Sequence, residues 1–172
     1  PQAWVKLGLV PPGETWRVQK ALYGLRCSPR LWGLERDAKL KAFSWRVGKK
    51  KYHLVPSMVD ACAWLVREFR EGRDVNVYDL GPLHGVLITY VDDLLICAPR
   101  GEIRDGLLKC ITDQWATSGE NVLALGKPLC FCGLELEYLD ESRVHVHQKA
   151  YTHQLLSKYG LALQTAHLHR NG

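Results

Sequence analysis

Gly85-Val86-Leu87-Ile88-Thr89-Tyr90-Val91-Asp92-Asp93-Leu94-Leu95-Ile96-Cys97-Ala98-Pro99 is the stretch whose reading decides the fold. Two short runs of β-favouring residues, Gly85 to Tyr90 and Leu94 to Ala98, flank Val91-Asp92-Asp93. This pattern predicts a tight hairpin buried on one or both faces, with the aspartates at its tip. Burying or half-burying two adjacent carboxylates is costly unless a cation pairs with them. Within a straight strand neighbours point to opposite faces, but a tight turn rotates the backbone enough for both to approach one site. Oxygen ligands with open coordination positions suit Mg²⁺, and two such ions about 4 Å apart can clamp an in-line phosphoryl transfer. Asp is also a common turn residue. Residue pattern alone leaves metal binding and turn formation both open.

Downstream of this hairpin, Ile103, Leu107, Leu108, Ile111 and Trp115 fall at the spacing of an amphipathic helix. Leu129 to Tyr138 and Arg143 to Gln148 flank Leu139-Asp140-Glu141-Ser142 as a second hairpin, and Tyr151, Leu155 and Tyr159 mark a last helix ending at Gly160. Upstream, Cys27-Ser28-Pro29 offers Ser as N-cap and Pro at the first helical position, which predicts a helix over Pro29 to Phe43. Lys49-Lys50-Lys51 interrupts the pattern and reads as a solvated loop. Asp60 to Val66 resumes it as a strand, with Arg67 to Asp74 as its turn. Mixed elements joined by hairpins predict an α+β layer with helices on one face of an antiparallel sheet.

At 172 residues the chain is long enough for one domain with a real core and too short for two ordinary ones. A composition of 47% hydrophobic and 24% charged residues argues against disorder, collagen or a coiled coil. The apolar stretches fall far short of the ~20 residues a membrane helix needs. No secretory leader precedes the core, so a protein that is not secreted is expected, and the six cysteines read as free thiols, mostly small buried hydrophobes of a reducing compartment. Net charge is +5, but residues 1–58 carry 12 Lys/Arg against 3 acids and residues 59–172 carry 11 against 15. A basic half suits a polyanion such as a nucleic-acid backbone, and an acidic half suits bound cations.

Four blocks, in order, carry a resemblance: Lys20-Ala21-Leu22-Tyr23-Gly24-Leu25-Arg26-Cys27-Ser28-Pro29-Arg30-Leu31-Trp32, Asp60-Ala61-Cys62, Tyr90-Val91-Asp92-Asp93-Leu94-Leu95-Ile96 and Phe131-Cys132-Gly133-Leu134-Glu135-Leu136. Together they resemble the reverse transcriptase, an RNA-directed DNA polymerase, of copia-type retrotransposons. The resemblance spans about residues 16 to 161. It implies one partial domain over 1–172, with palm over about 16–148 and the start of the thumb over about 149–172 of a right-hand polymerase. It implies that Asp92 and Asp93 are catalytic and bind Mg²⁺ (or Mn²⁺), two ions in the intact enzyme, with Tyr90 opening the motif beside the incoming nucleotide. Tyr23, Gly24, Ser28 and Pro29 match the block near template and nucleotide. Phe131, Cys132 and Gly133 match the primer grip. Lys20, Arg26 and Arg30 are candidate phosphate contacts, with Arg17, Lys39 and the triple lysine. The partners implied are an RNA or DNA template with its primer, deoxynucleoside triphosphates, and the RNase H, integrase and protease segments of a polyprotein. The expected location is the cytoplasmic virus-like particle of the element, with access to the nucleus.

One departure from the family matters. A third aspartate, on a palm strand upstream of the Leu22-Tyr23-Gly24-Leu25 block, has no counterpart here, because the acids before Asp60 are Glu14, Glu35 and Asp37. The fingers and first palm strand are read as absent, and this chain alone is expected to be inactive. Two rival readings stand beside the enzyme. One is a catalytically dead retroelement remnant with residual nucleic-acid binding. The other is a small structural domain that binds metal through Cys130, Cys132, His145 and His147, although a hairpin closed by Asp140 and Glu141 leaves the cysteines a rung or more beyond the histidines.

Overall fold

Apolar residues at every second position turn several consecutive segments of this chain into half-buried strands. The computed structural model describes residues 5–13, 19, 22, 24–69 and 81–161, and the architecture is mixed α+β. Strands β1 (Ser44–Val47), β2 (Lys50–Pro56), β3 (Ala63–Phe69), β4 (Leu83–Tyr90) and β5 (Asp93–Cys97) form one antiparallel sheet in sequence order. Helix α1 (Ser28–Ala42) precedes this sheet and helix α2 (Glu102–Gln114) follows it. A second antiparallel sheet contains β6 (Leu129–Phe131), β7 (Leu134–Asp140) and β8 (Arg143–His147), and helix α3 (Lys149–Lys158) comes last. The chain divides into two compact units, Pro1–Ala42 and Phe43–Gly172.

In the second unit, cross-strand register collects the large side chains on one face of the five-stranded sheet. Trp45 pairs with Tyr52, Leu54 with Val66, and Trp64 with Leu87, and all six are buried. Thr89 shares that face. Its buried hydroxyl donates to the Cys62 carbonyl at 3.2 Å, so the polar group is satisfied. Helix α2 covers this face with Leu107 and Ile111, both buried. Gly106 permits the approach, since a Cβ there would stand 2.2 Å from Trp45 Cδ1. The rings of Phe43 and Trp115 close the end of this layer at 5.6 Å between centroids.

Several local readings need correction. The triple lysine is no loop. Gly48 and Lys49 turn the chain between β1 and β2, while Lys50 and Lys51 are strand residues, Lys50 paired with Glu68 at 2.8 Å and Lys51 lying 4.8 Å over the Phe69 ring. Arg67 to Phe69 extend β3 rather than turning it, and residues 70–80 lie outside the described residues. Ser28 does not cap α1. The Leu31 N–H bonds the Cys27 carbonyl as the helix begins, and the Ser28 hydroxyl donates back to the Leu22 carbonyl. The strand expected over Leu129 to Tyr138 breaks at Cys132-Gly133, where both residues take positive φ (54° and 75°), the conformation of a two-residue hairpin turn. The cysteines are not core hydrophobes: all six are free, five are exposed, and Cys110 is half-buried.

Candidate active site

Pairing in the β4–β5 hairpin runs Val86 with Cys97, Ile88 with Leu95 and Tyr90 with Asp93. Val91 and Asp92 therefore make a two-residue turn, and Asp93 is the first residue of β5 rather than part of the tip. Directly paired residues share a face. Asp93 thus stands with Tyr90, Ile88 and Leu95 on the side of the sheet opposite Leu87 and Thr89, the side that α2 does not cover. Val91 takes φ 52°, an outlier for a β-branched residue that costs on the order of 1–3 kcal/mol. The turn that presents the two aspartates is strained.

Asp92 and Asp93 are exposed, which corrects the expectation of a buried or half-buried pair. Neither carboxylate has a hydrogen-bond or ion-pair partner among the described residues. Water carries their solvation, so no desolvation penalty forces a cation upon them. Tyr90 beside them is 55% exposed. The Cys132-Gly133 turn of the second sheet comes near this tip: the Cys132 thiol is pushed up by local desolvation and then by the negative charges of Asp93 and Cys130. Phe131 is half-buried, and Cys132 and Gly133 are exposed. The Gln148 amide reaches the Gly133 carbonyl at 3.5 Å, tying the turn to the residue before α3.

The register also joins Lys51 of the triple lysine to basic residues that the sequence reading did not single out. Arg46 pairs with Lys51, and His53 with Arg67, on the same open face as Tyr90 and Asp93. Burial, then the Lys51 charge, holds the His53 imidazole below its ordinary range. Positive charge thus gathers toward the β1–β2 side of the face and the carboxylates sit on the β5 side. The β1–β2 hairpin had to be recognised before the alternation of Arg46, Lys51 and His53 could be seen.

The remaining predicted site residues lie in the other unit or outside the described residues. Gly24 and Arg26 are exposed ahead of α1, Ser28 is half-buried in its first turn, and Pro29 and Arg30 are exposed there. Tyr23 and Lys20 lie outside the described residues, as does Arg17. A cleft of about 570 Å³, lined by His84, Gly85, Cys97, Arg100 and Glu102 among others, sits at the opposite end of β4 and β5 from the aspartate turn and takes no part in this site. The four-ligand Cys/His centre does not form. Cys132 lies in a turn, and Glu135 pairs with His147 and Glu137 with His145, one residue off the expected register. A comparison with protein-family models, curated proteins and solved structures finds no match to this chain. No helix of the described residues is long and apolar enough to cross a membrane.

Proposed function

We propose that this chain is palm, with the start of the thumb, of an RNA-directed DNA polymerase of the copia retrotransposon class. Supporting it is the position of Tyr90-Val91-Asp92-Asp93 at a two-residue β-turn, with Tyr90 and Asp93 on the open sheet face and the Phe131-Cys132-Gly133 turn near enough for Asp93 to perturb Cys132. Two adjacent carboxylates without partners among the described residues are hard oxygen donors of the kind Mg²⁺ takes, so the residues present fit that ion. Asp92 and Asp93 would hold it. Bound Mg²⁺ supplies Lewis-acid stabilisation of the charge that develops on the transferred phosphoryl group.

The rest of the chain binds and orients the substrates. Arg46, Lys51 and Arg67 offer a basic surface along which a primer–template backbone can lie. Phe131, Cys132 and Gly133 steady the primer end, and Tyr90 packs beside the incoming deoxynucleotide. Tyr23, Gly24, Ser28 and Pro29, with Lys20, Arg26 and Arg30, serve template, nucleotide and phosphate. Template-directed incorporation by a longer polypeptide that adds an upstream palm carboxylate tests the reading. Asp92→Asn in that polypeptide should reduce turnover by orders of magnitude, and retained turnover would remove Asp92 from the role.

A further inference from the structure

Glu135, Glu137, His145 and His147 occupy the corners of a square on one face of the β7–β8 ribbon. Glu135 is the direct cross-strand partner of His147, Glu137 is that of His145, and each pair of alternate residues points the same way. The two imidazole centroids stand 4.8 Å apart. One donor atom from each of Glu137, His145 and His147 lies within 4.8 Å of the others. His147 Nε2 is 3.1 Å from Glu137 Oε1, and His145 Nδ1 is 3.8 Å from Glu137 Oε2. Ligands at zinc bond lengths in a tetrahedral shell stand roughly 3.3 Å apart, between those two separations.

A second observation is independent of this clustering. The His147 side chain is only 9% exposed, and its Nε2 is buried with no aligned hydrogen-bond partner, although Glu137 is close. A buried ring nitrogen held against a carboxylate but out of line with it is open to a cation that sits between them. Two imidazole nitrogens and one carboxylate oxygen are the donor set of open zinc sites. We propose that the β7–β8 ribbon binds one zinc-class divalent cation through His145, His147 and Glu137, with solvent completing the shell.

Glu135 acts on this site as a positioning residue. Its Oε1 accepts the Ala150 N–H at 2.7 Å in the first turn of α3 and lies 3.7 Å from His147 Nδ1. That Nδ1 accepts the Lys149 N–H at 3.3 Å. A cation on Nε2 requires the ring proton on Nδ1, which then changes from acceptor to donor and finds Glu135 as its carboxylate. Metal capture is in this way coupled to the start of α3. The His147 contact, then the Lys149 and histidine charges, lowers the Glu137 carboxyl, and the Lys149 charge opposes the cation.

Calorimetric titration of the 172-residue chain with ZnCl₂ in thiol-free, chelator-free buffer tests the site. One ion per chain is expected, with at least tenfold weaker affinity in His145→Ala and in Glu137→Gln, both surface-accessible positions. Cys130→Ser/Cys132→Ser, His167→Ala/His169→Ala and Asp92→Asn/Asp93→Asn should each retain the parent affinity. Co²⁺ in place of Zn²⁺ should give visible bands without thiolate charge transfer. In the unaltered protein, Zn²⁺ should shift the imidazole proton resonances of His145 and His147, a readout that does not depend on any variant folding. Absence of binding, affinity unchanged in His145→Ala and Glu137→Gln, loss of affinity in the cysteine, tail-histidine or aspartate variants, or unmoved His145 and His147 resonances would each overturn the proposal.

Discussion

The β4–β5 and β7–β8 hairpins are both antiparallel ribbons with acidic tips, and they are held together in opposite ways. At the β7–β8 tip, Asp140 is saturated: it accepts from the Ser142 N–H and hydroxyl at 3.0 and 2.9 Å and pairs with Arg143 at 2.5 Å. At the β4–β5 tip, Asp92 and Asp93 have no such partners among the described residues, and the turn contains a strained valine. Yet β4 contributes Leu87, which is fully buried, whereas β8 leaves Val144 and Val146 about half-exposed. One hairpin is stabilised by its own turn and the other by the core behind it. The β4–β5 turn thus leaves two exposed carboxylates without partners among the described residues.

The largest effect should come from the core that supports the strained tip. Leu87→Ala is expected to cost about 2–5 kcal/mol in denaturant unfolding, while Val144→Ala in the other hairpin should stay within about 0.5 kcal/mol. Equal losses would erase the contrast. Gly106→Ala should cost about 1–3 kcal/mol by driving a methyl group into Trp45, with near-ultraviolet circular dichroism reporting the displaced indole.

Next in size is the turn itself. Val91→Gly should raise stability by about 1 kcal/mol by relieving the positive φ, and an unchanged or lower melting temperature would show that no strain is stored there. Asp92→Asn/Asp93→Asn should leave the unfolding free energy in chelator within about 0.5 kcal/mol of the parent, because exposed groups without partners among the described residues contribute little.

The smallest effect is one of pH. Arg143, then Ser142, holds Asp140 below the usual carboxylate range. Its contribution is therefore complete above the unfolded pKa and is lost as pH falls through the lower, folded value. Amide exchange at Ser142 should quicken on acidification below the ordinary Asp range, and Asp140→Asn should remove that dependence. A parent whose Ser142 amide shows no such response would sink the assignment.

Legibility in the sequence followed the same division. The β4–β5 hairpin, α2 and α3 were readable because Val86 to Ile88, Leu94 to Ile96 and the Ile103–Ile111 stripe put apolar residues at strand or helix spacing with little interruption. The β1–β2 hairpin was hidden, because Arg46 and Lys51 place charge on the open face of two short strands and the adjoining Lys49 and Lys50 imitate a loop. Register at β7–β8 was misplaced by one residue, since the turn is Glu141-Ser142 rather than Asp140-Glu141 and an irregularity between Tyr138 and Asp140 takes back half of that shift. That slip moved the glutamates opposite the histidines, an arrangement no spacing rule would have disclosed. The Asp-Asp turn was found, but its exposure was not, because composition does not reveal whether anything stands in front of a turn.

Each strand of the five-stranded sheet pairs only with its neighbours in sequence, β1 through β5 in order. Loop-closure entropy is then met in small instalments, and local pairing of this kind favours rapid assembly. During synthesis, this sheet can be complete, with its aspartate turn in place, while β6 and everything after it are still inside the ribosome.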